Sequence, residues 1–133
     1  MAYWLLKTEP STYSFDDLVR DKQTRWDGIT NPVALKHLRS AHAGDLAVIY
    51  HTGDEKSAVG LAEVAGDAYA DPKDAKLAVI DLKAKAALGK PVTLATLKAD
   101  PAFADSPLVR QGRLSFVPLT DAQFARLSKL AKA

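Results

Sequence analysis

Hydrophobic and polar positions change period along this chain, and each change marks an element. Tyr3 to Thr8 is rich in aromatic and β-compatible residues and is halted by Glu9-Pro10, which predicts a strand. Ser14-Phe15-Asp16-Asp17 has capping-box spacing, with Ser14 as N-cap and Asp17 three residues on, so a short helix is expected to Val19 or Arg20. Asp16 and Asp17 could pass for a catalytic carboxylate pair, but the macrodipole accounts for two acids in a first helical turn. Asn31-Pro32 reads as an N-cap followed by proline at the first helical position. Val33, Ala34, Leu35, Leu38 and Ala41 then repeat at helical spacing, giving a helix to about Ser40 with Lys36, His37 and Arg39 on its other face.

Ala43-Gly44-Asp45 turns into a strong apolar strand, Leu46 to His51, and the polar loop Thr52 to Lys56 joins it to a second strand, Ala58 to Val64. Asp71-Pro72-Lys73-Asp74 is another turn, and Lys76 to Lys85 alternates weakly, with Leu77, Val79, Ile80 and Leu82 as its apolar positions. Lys90 to Leu94 leads to a helical turn ending before Asp100-Pro101, and Arg113 to Val117 reads as a last strand. Thr120-Asp121-Ala122-Gln123 is a second capping box, opening a helix whose Phe124, Leu127 and Leu130 or Ala131 should face inward. No repeat or low-complexity tract interrupts this order. The expectation is one α+β domain over 1–133, with a strongly curved mixed sheet or pseudo-barrel of five to six strands flanked by short helices.

Composition narrows the chemistry. At 133 residues and 47% hydrophobic, the chain can bury a core of its own. The absence of cysteine excludes disulfides, thiolate catalysis and cysteine-ligated metals. With no signal-peptide pattern at the start and no apolar run long enough to cross a bilayer, a soluble cytoplasmic protein with no membrane partner is expected. The net charge of +2 is too small for a polycation that coats nucleic acid. It divides unevenly, +1 over residues 1–40, −3 over 41–107 and +4 over 108–133. The basic end could meet phosphates beside a pocket, or Arg126, Lys129 and Lys132 could form the solvated face of a helix.

The motifs favour recognition over turnover. Gly53 and Gly60 do not make a phosphate-binding loop, and nothing resembles a dinucleotide fingerprint. His37, His42 and His51 lack a metal-ligand signature, so neither metal nor cofactor is expected. Trp26-Asp27-Gly28 places an aromatic ring beside a backbone able to turn sharply, which builds a pocket wall or simply buries a core residue. Tyr50-His51-Thr52 stands at a strand end, where recognition groups are often displayed. Lys7 and Glu9 share a strand face that Thr8 does not, so the three converge only if the strand breaks at Glu9-Pro10. They then offer either a strand-end ion pair or a general base with an orienting carboxylate, Glu9 or Glu63.

Taken together, YWLLKTEP at 3–10, WDGITN at 26–31, AGDLAVIYHTGDEKSAVGLAEV at 43–64 and RQGRLSFVPLT at 110–120 resemble the EVE domain family of the PUA-like superfamily. The resemblance covers nearly the whole chain in order. It implies a module that binds DNA or RNA through a flipped or unpaired modified base, such as a modified cytosine or adenine, in the manner of the similar YTH domains. It further implies Trp26 with Asp27 and Gly28 as an aromatic wall, Lys7, Thr8 and Glu9 as floor, and Asn31 as an amide donor. Tyr50, His51 and Thr52 would close the other side, with Arg113 and Ser115 in support, and a monomer is expected. The chain departs from the family after Gly28, having Ile29-Thr30-Asn31 where many members carry Arg-Asn-Tyr. The alternative is a small amidohydrolase acting on a modified nucleoside, as in the similar ASCH domains, with Lys7, Thr8 and Glu63 as its players.

Overall fold

The computed structural model describes residues 2–111 and 114–132. Its strands are β1 (Tyr3–Thr8), β2 (Gln23–Trp26), β3 (Leu46–His51), β4 (Ser57–Val64), β5 (Tyr69–Asp71), β6 (Asp74–Thr93) and β7 (Phe116–Leu119). Its helices are α1 (Phe15–Asp21), α2 (Pro32–Arg39), α3 (Leu94–Ala99), α4 (Pro107–Arg110) and α5 (Asp121–Lys132), with a 3-10 turn over Pro101–Phe103. The strands form one curved, open sheet in the order β2-β6-β4-β3-β1-β7, and β5 pairs with β6 beside this path. Strand β1 runs parallel to β3 and antiparallel to β7, so the sheet is mixed as expected.

Three local signals form as the sequence predicts. Ser14 and Asp17 close the capping box of α1, and the Asn31 side chain accepts from the Val33 and Ala34 amides at the start of α2. The second box also closes: Thr120 N–H donates to Gln123 Oε1 at 2.9 Å and Gln123 N–H to Thr120 Oγ1 at 3.1 Å. Of the residues expected to face inward from α5, Leu127 and Ala131 are buried, while Phe124 stacks on Tyr3 with 4.1 Å between ring centroids.

The sheet has seven strands rather than five or six. The short strand β2 has no apolar alternation to announce it, with Trp26 its one buried residue, and the three residues of β5 form only as a hairpin arm on β6. Strand β6 runs 20 residues, past the expected end at Lys85 and through Pro91, because β2 and β4 both pair along it. Register shifts near Gly60 and Ala62 bend the β4–β6 ladder where it passes from one region of pairing to the next. The last strand begins at Phe116, three residues later than expected, and includes Pro118, which an edge strand tolerates because its amide need not join a ladder. Helix α4, four residues capped by Ser106, is too short for a periodic signal.

One contact fixes how α1 lies on the sheet. The Phe15 ring rests on the backbone of Gly60, where a Cβ would fall 2.3 Å from the ring. Phe15 N–H donates to His51 Nε2 at 2.9 Å, tying the helix start to the end of β3. At the opposite end of the core, the Asp45 carboxylate accepts from Ala2 N–H (3.0 Å), Trp4 Nε1 (3.0 Å) and His42 N–H (2.9 Å), which binds the start of β1 to the turn before β3.

Candidate functional site

Strand β1 ends at Thr8, and the chain then turns tightly, with Thr12 and Tyr13 N–H both donating to Glu9 C=O at 2.9 Å. That break brings Lys7, Thr8 and Glu9 to the floor of one cavity of about 640 Å³. Trp26, at the end of β2, and Tyr13 form an aromatic corner in its wall, with ring centroids 6.2 Å apart and planes at 79°. Trp26 is only 8% exposed, so it is core residue and pocket wall at once. Asp27, Gly28 and Ile29 continue the wall; Gly28 holds φ +79°, a left-handed conformation in which glycine bears no Cβ penalty. Ser115 lines the cavity from the approach to β7, and its carbonyl accepts from Lys7 N–H at 2.9 Å.

The polar groups of the floor are held. Thr8 Oγ1 donates to Tyr13 C=O at 2.7 Å. The Glu9 carboxylate accepts from Ser11 N–H (3.4 Å), Ser11 Oγ (3.3 Å) and Thr52 Oγ1 (3.5 Å), and it packs against Gly53, where a Cβ would lie 2.8 Å from it. The Lys7 ammonium lies 5.8 Å from the centre of the Tyr50 ring, and burial lowers its pKa. Tyr13 donates its phenol proton to Asp21 at 2.8 Å. Burial is the largest cause raising its pKa, so the ring carries an uncharged phenol.

The remaining expected site residues divide. Tyr50 and Thr52 line a second cavity of about 200 Å³ that meets the first at Lys7. His51 lines neither of these: it is buried, its Nε2 accepts from Phe15 N–H, and Nδ1 faces Glu55 Oε2 at 2.9 Å, so the imidazole is a structural joint carrying its proton on Nδ1. Asn31 also lies outside both, its side-chain oxygen taken up by the cap of α2. Arg113 lies outside the described residues. Glu63 pairs with Lys85 at 3.7 Å and sits opposite Leu46, whereas Lys7 sits opposite Tyr50. Four residues along β3 separate those positions, about 13 Å at strand rise.

Sequence reasoning missed Thr12, Tyr13, Thr24, Arg25 and the pocket role of Ile29. Tyr13 had a signal available: an aromatic in a polar turn directly ahead of a helix cap. Thr24 and Arg25 had none without β2. Among the described residues no group of three His, Asp or Glu side chains could hold a metal, and no helix is long and apolar enough to cross a membrane. What the cavity presents is an aromatic corner, hydroxyls, the Lys7 ammonium, the Arg25 guanidinium and the Glu9 and Asp27 carboxylates. That set can stack a flat ring and hydrogen-bond its edge.

The curved, open mixed sheet with five short helices is an α+β fold whose structural neighbours are EVE and PUA-like domains. More narrowly, the chain belongs to the EVE domain family, whose pattern matches residues 2–130. The solution structure of Rpa0253 from Rhodopseudomonas palustris is 40% identical, with a TM-score of 0.93, covering 98% of this chain and 93% of that one. Human thymocyte nuclear protein 1 is 34% identical over 82 residues, 53% of this chain and 36% of that protein, so the match spans about a third of that longer relative. The crystal structure of human THYN1 protein in complex with 5-methylcytosine-containing DNA has a TM-score of 0.92 at 24% identity, covering 100% of this chain and 99% of that one; at this identity it shows a shared fold.

Proposed function

We propose that this chain binds nucleic acid and accepts one unpaired or extruded modified base in the cavity between Trp26 and the end of β1. The observation that carries the reading is the Trp26–Tyr13 corner over a polar floor, in a space within the usual range for small-ligand pockets. A base that stacks on one aromatic face gains roughly 1–3 kcal/mol whatever its identity. Lys7 as donor to the base edge, with Thr8 Oγ1 and the Glu9 carboxylate as acceptors from it, supplies discrimination, and pocket shape senses an added methyl, worth about 1–3 kcal/mol. The fold shared with human THYN1 protein, which is seen with 5-methylcytosine-containing DNA, supports a modified cytosine as the first base to test.

The amidohydrolase alternative built on Lys7, Thr8 and Glu63 is disfavoured, since Glu63 stands with Lys85 and not with Lys7 and Thr8. The test is anisotropy titration of fluorescently labelled single strands of DNA and RNA carrying one cytosine, 5-methylcytosine, 5-hydroxymethylcytosine or N6-methyladenine. Saturable binding that is tighter for one modified strand than for its unmodified twin supports the reading. Equal affinity for every strand, or none, removes it.

A further inference from the structure

We infer that the second cavity is a phosphate site that carries the nucleic-acid backbone away from the base pocket. This rests on the proposed function. The two cavities share Lys7, and the second is lined by Tyr50, Thr52, Lys56, Leu94 and Lys98 among others. A third hollow of about 300 Å³ takes over at Lys56, Leu94 and Lys98 and runs past Thr93. Shared lining residues make the three spaces one track, with Lys7 at the first junction and Lys56 and Lys98 at the second.

The chemistry of the track changes along its length. In the first cavity the carboxylates of Glu9 and Asp27 balance Lys7 and Arg25 beside the aromatic corner, while Lys7, Lys56 and Lys98 and no carboxylate line the second. Neither Lys56 nor Lys98 is drawn into an ion pair among the described residues. Glu55, on the third hollow, receives His51 Nδ1 at 2.9 Å. The backbone at Lys56 is held in place: φ is +41°, unusual for a side chain, and its carbonyl accepts from Leu94 N–H at 2.7 Å. A left-handed non-glycine residue held at a cavity rim presents its ammonium from a fixed base. A phosphodiester next to a captured base is the anion this arrangement fits, because the ammonium groups give charge without reading sequence.

The two lysines lie in the 41–107 segment whose local charge is −3, so the basic C-terminal segment is not the source of this charge. Arg126 of that segment is bound to Asp100 at 2.6 Å.

The experiment measures the salt dependence of binding for wild type, Lys56→Gln, Lys98→Gln, the double variant and Lys98→Arg. Its probes are single strands with and without one 5-methylcytosine, and the free nucleoside 5-methyldeoxycytidine. Each Gln variant is expected to lower the slope of log affinity against log salt by about 0.7, so that between ~50 and ~200 mM salt it loses about threefold less affinity per lysine removed. Lys98→Arg should keep the wild-type slope, and selectivity between the two strands and nucleoside binding should not move. Slopes unchanged in both single variants and the double, with thermal melts confirming folding, overturn the inference while leaving the base pocket standing. Wild-type protein that binds neither strand overturns both.

Discussion

The Tyr13 ring stands edge-on to the Trp26 indole, and its hydroxyl reaches past it to Asp21 at 2.8 Å, so a turn, a helix and an edge strand are joined through one side chain. Tyr13→Phe keeps the corner and loses the hydrogen bond, at a cost of about 1 kcal/mol in urea unfolding. Nucleic-acid affinity should be nearly unchanged. Tyr13→Ala removes the aromatic edge as well and is expected to weaken binding of a modified strand about tenfold. Equal binding by the Ala and Phe variants would show that the edge takes no part in recognition.

Gly60 should tolerate no side chain while Phe15 is present. A Cβ 2.3 Å from the ring must push α1 off the sheet, and overpacking of this kind costs about 1–3 kcal/mol. Gly60→Ala is therefore expected to shift the urea midpoint down, and Phe15→Leu in the same chain to recover part of the loss. A strictly additive double variant would contradict the contact.

Asp45 makes stability depend on acid pH. Burial alone would raise its pKa, but the amides of Ala2 and His42 and the Trp4 indole donate to it and together hold the pKa below the ordinary value. A carboxyl depressed in the folded state stabilises fully above its unfolded value of about 3.9, and that contribution is lost as pH falls through the folded value. Asp45→Asn should cost about 2–3 kcal/mol at pH 7, since these hydrogen bonds go to a charge. In thermal melts, the gap between wild type and variant is expected to narrow below about pH 4; a gap constant with pH would refute this role.

Lys7 carries a charge into a half-buried position, and burial lowers its pKa. A lysine depressed in this way destabilises the fold fully below its folded value; the penalty shrinks as pH rises through that value and is gone only above the unfolded value of about 10.4. Lys7→Met is expected to leave stability at pH 7 equal or higher while weakening strand binding about tenfold, the loss of one charge-assisted hydrogen bond. Urea titration should therefore show no loss of stability while anisotropy shows the loss of binding.

Local chemistry was legible in the sequence and pairing partners were not. Ser14 with Asp17, Asn31 with Pro32, and Thr120 with Gln123 carry their own geometry within four residues, and all form. β2 exists because Trp26 pairs opposite Ile80, more than fifty residues away, and no local pattern reports that. The same limit separates the site residues. Lys7, Thr8, Glu9, Trp26, Asp27, Gly28 and Ser115 meet at one cavity. His51 was legible as a strand-end polar group, but whether its ring faced the ligand or the helix depended on where α1 landed, and it faces Phe15. From the sequence Trp26 is wall or core; an indole at the rim of a packed interior is both.

The most direct test of the central claim is quenching of tryptophan fluorescence by a single strand carrying one 5-methylcytosine, in wild type and in Trp26→Phe. Trp4 is buried with its indole on Asp45, so the variant retains an emitter remote from the cavity. Saturable quenching in wild type that disappears in Trp26→Phe, and is weaker with the unmodified strand, is the predicted result. Quenching that survives in Trp26→Phe, or binding by anisotropy with no change in wild-type emission, would place the base elsewhere and contradict the account.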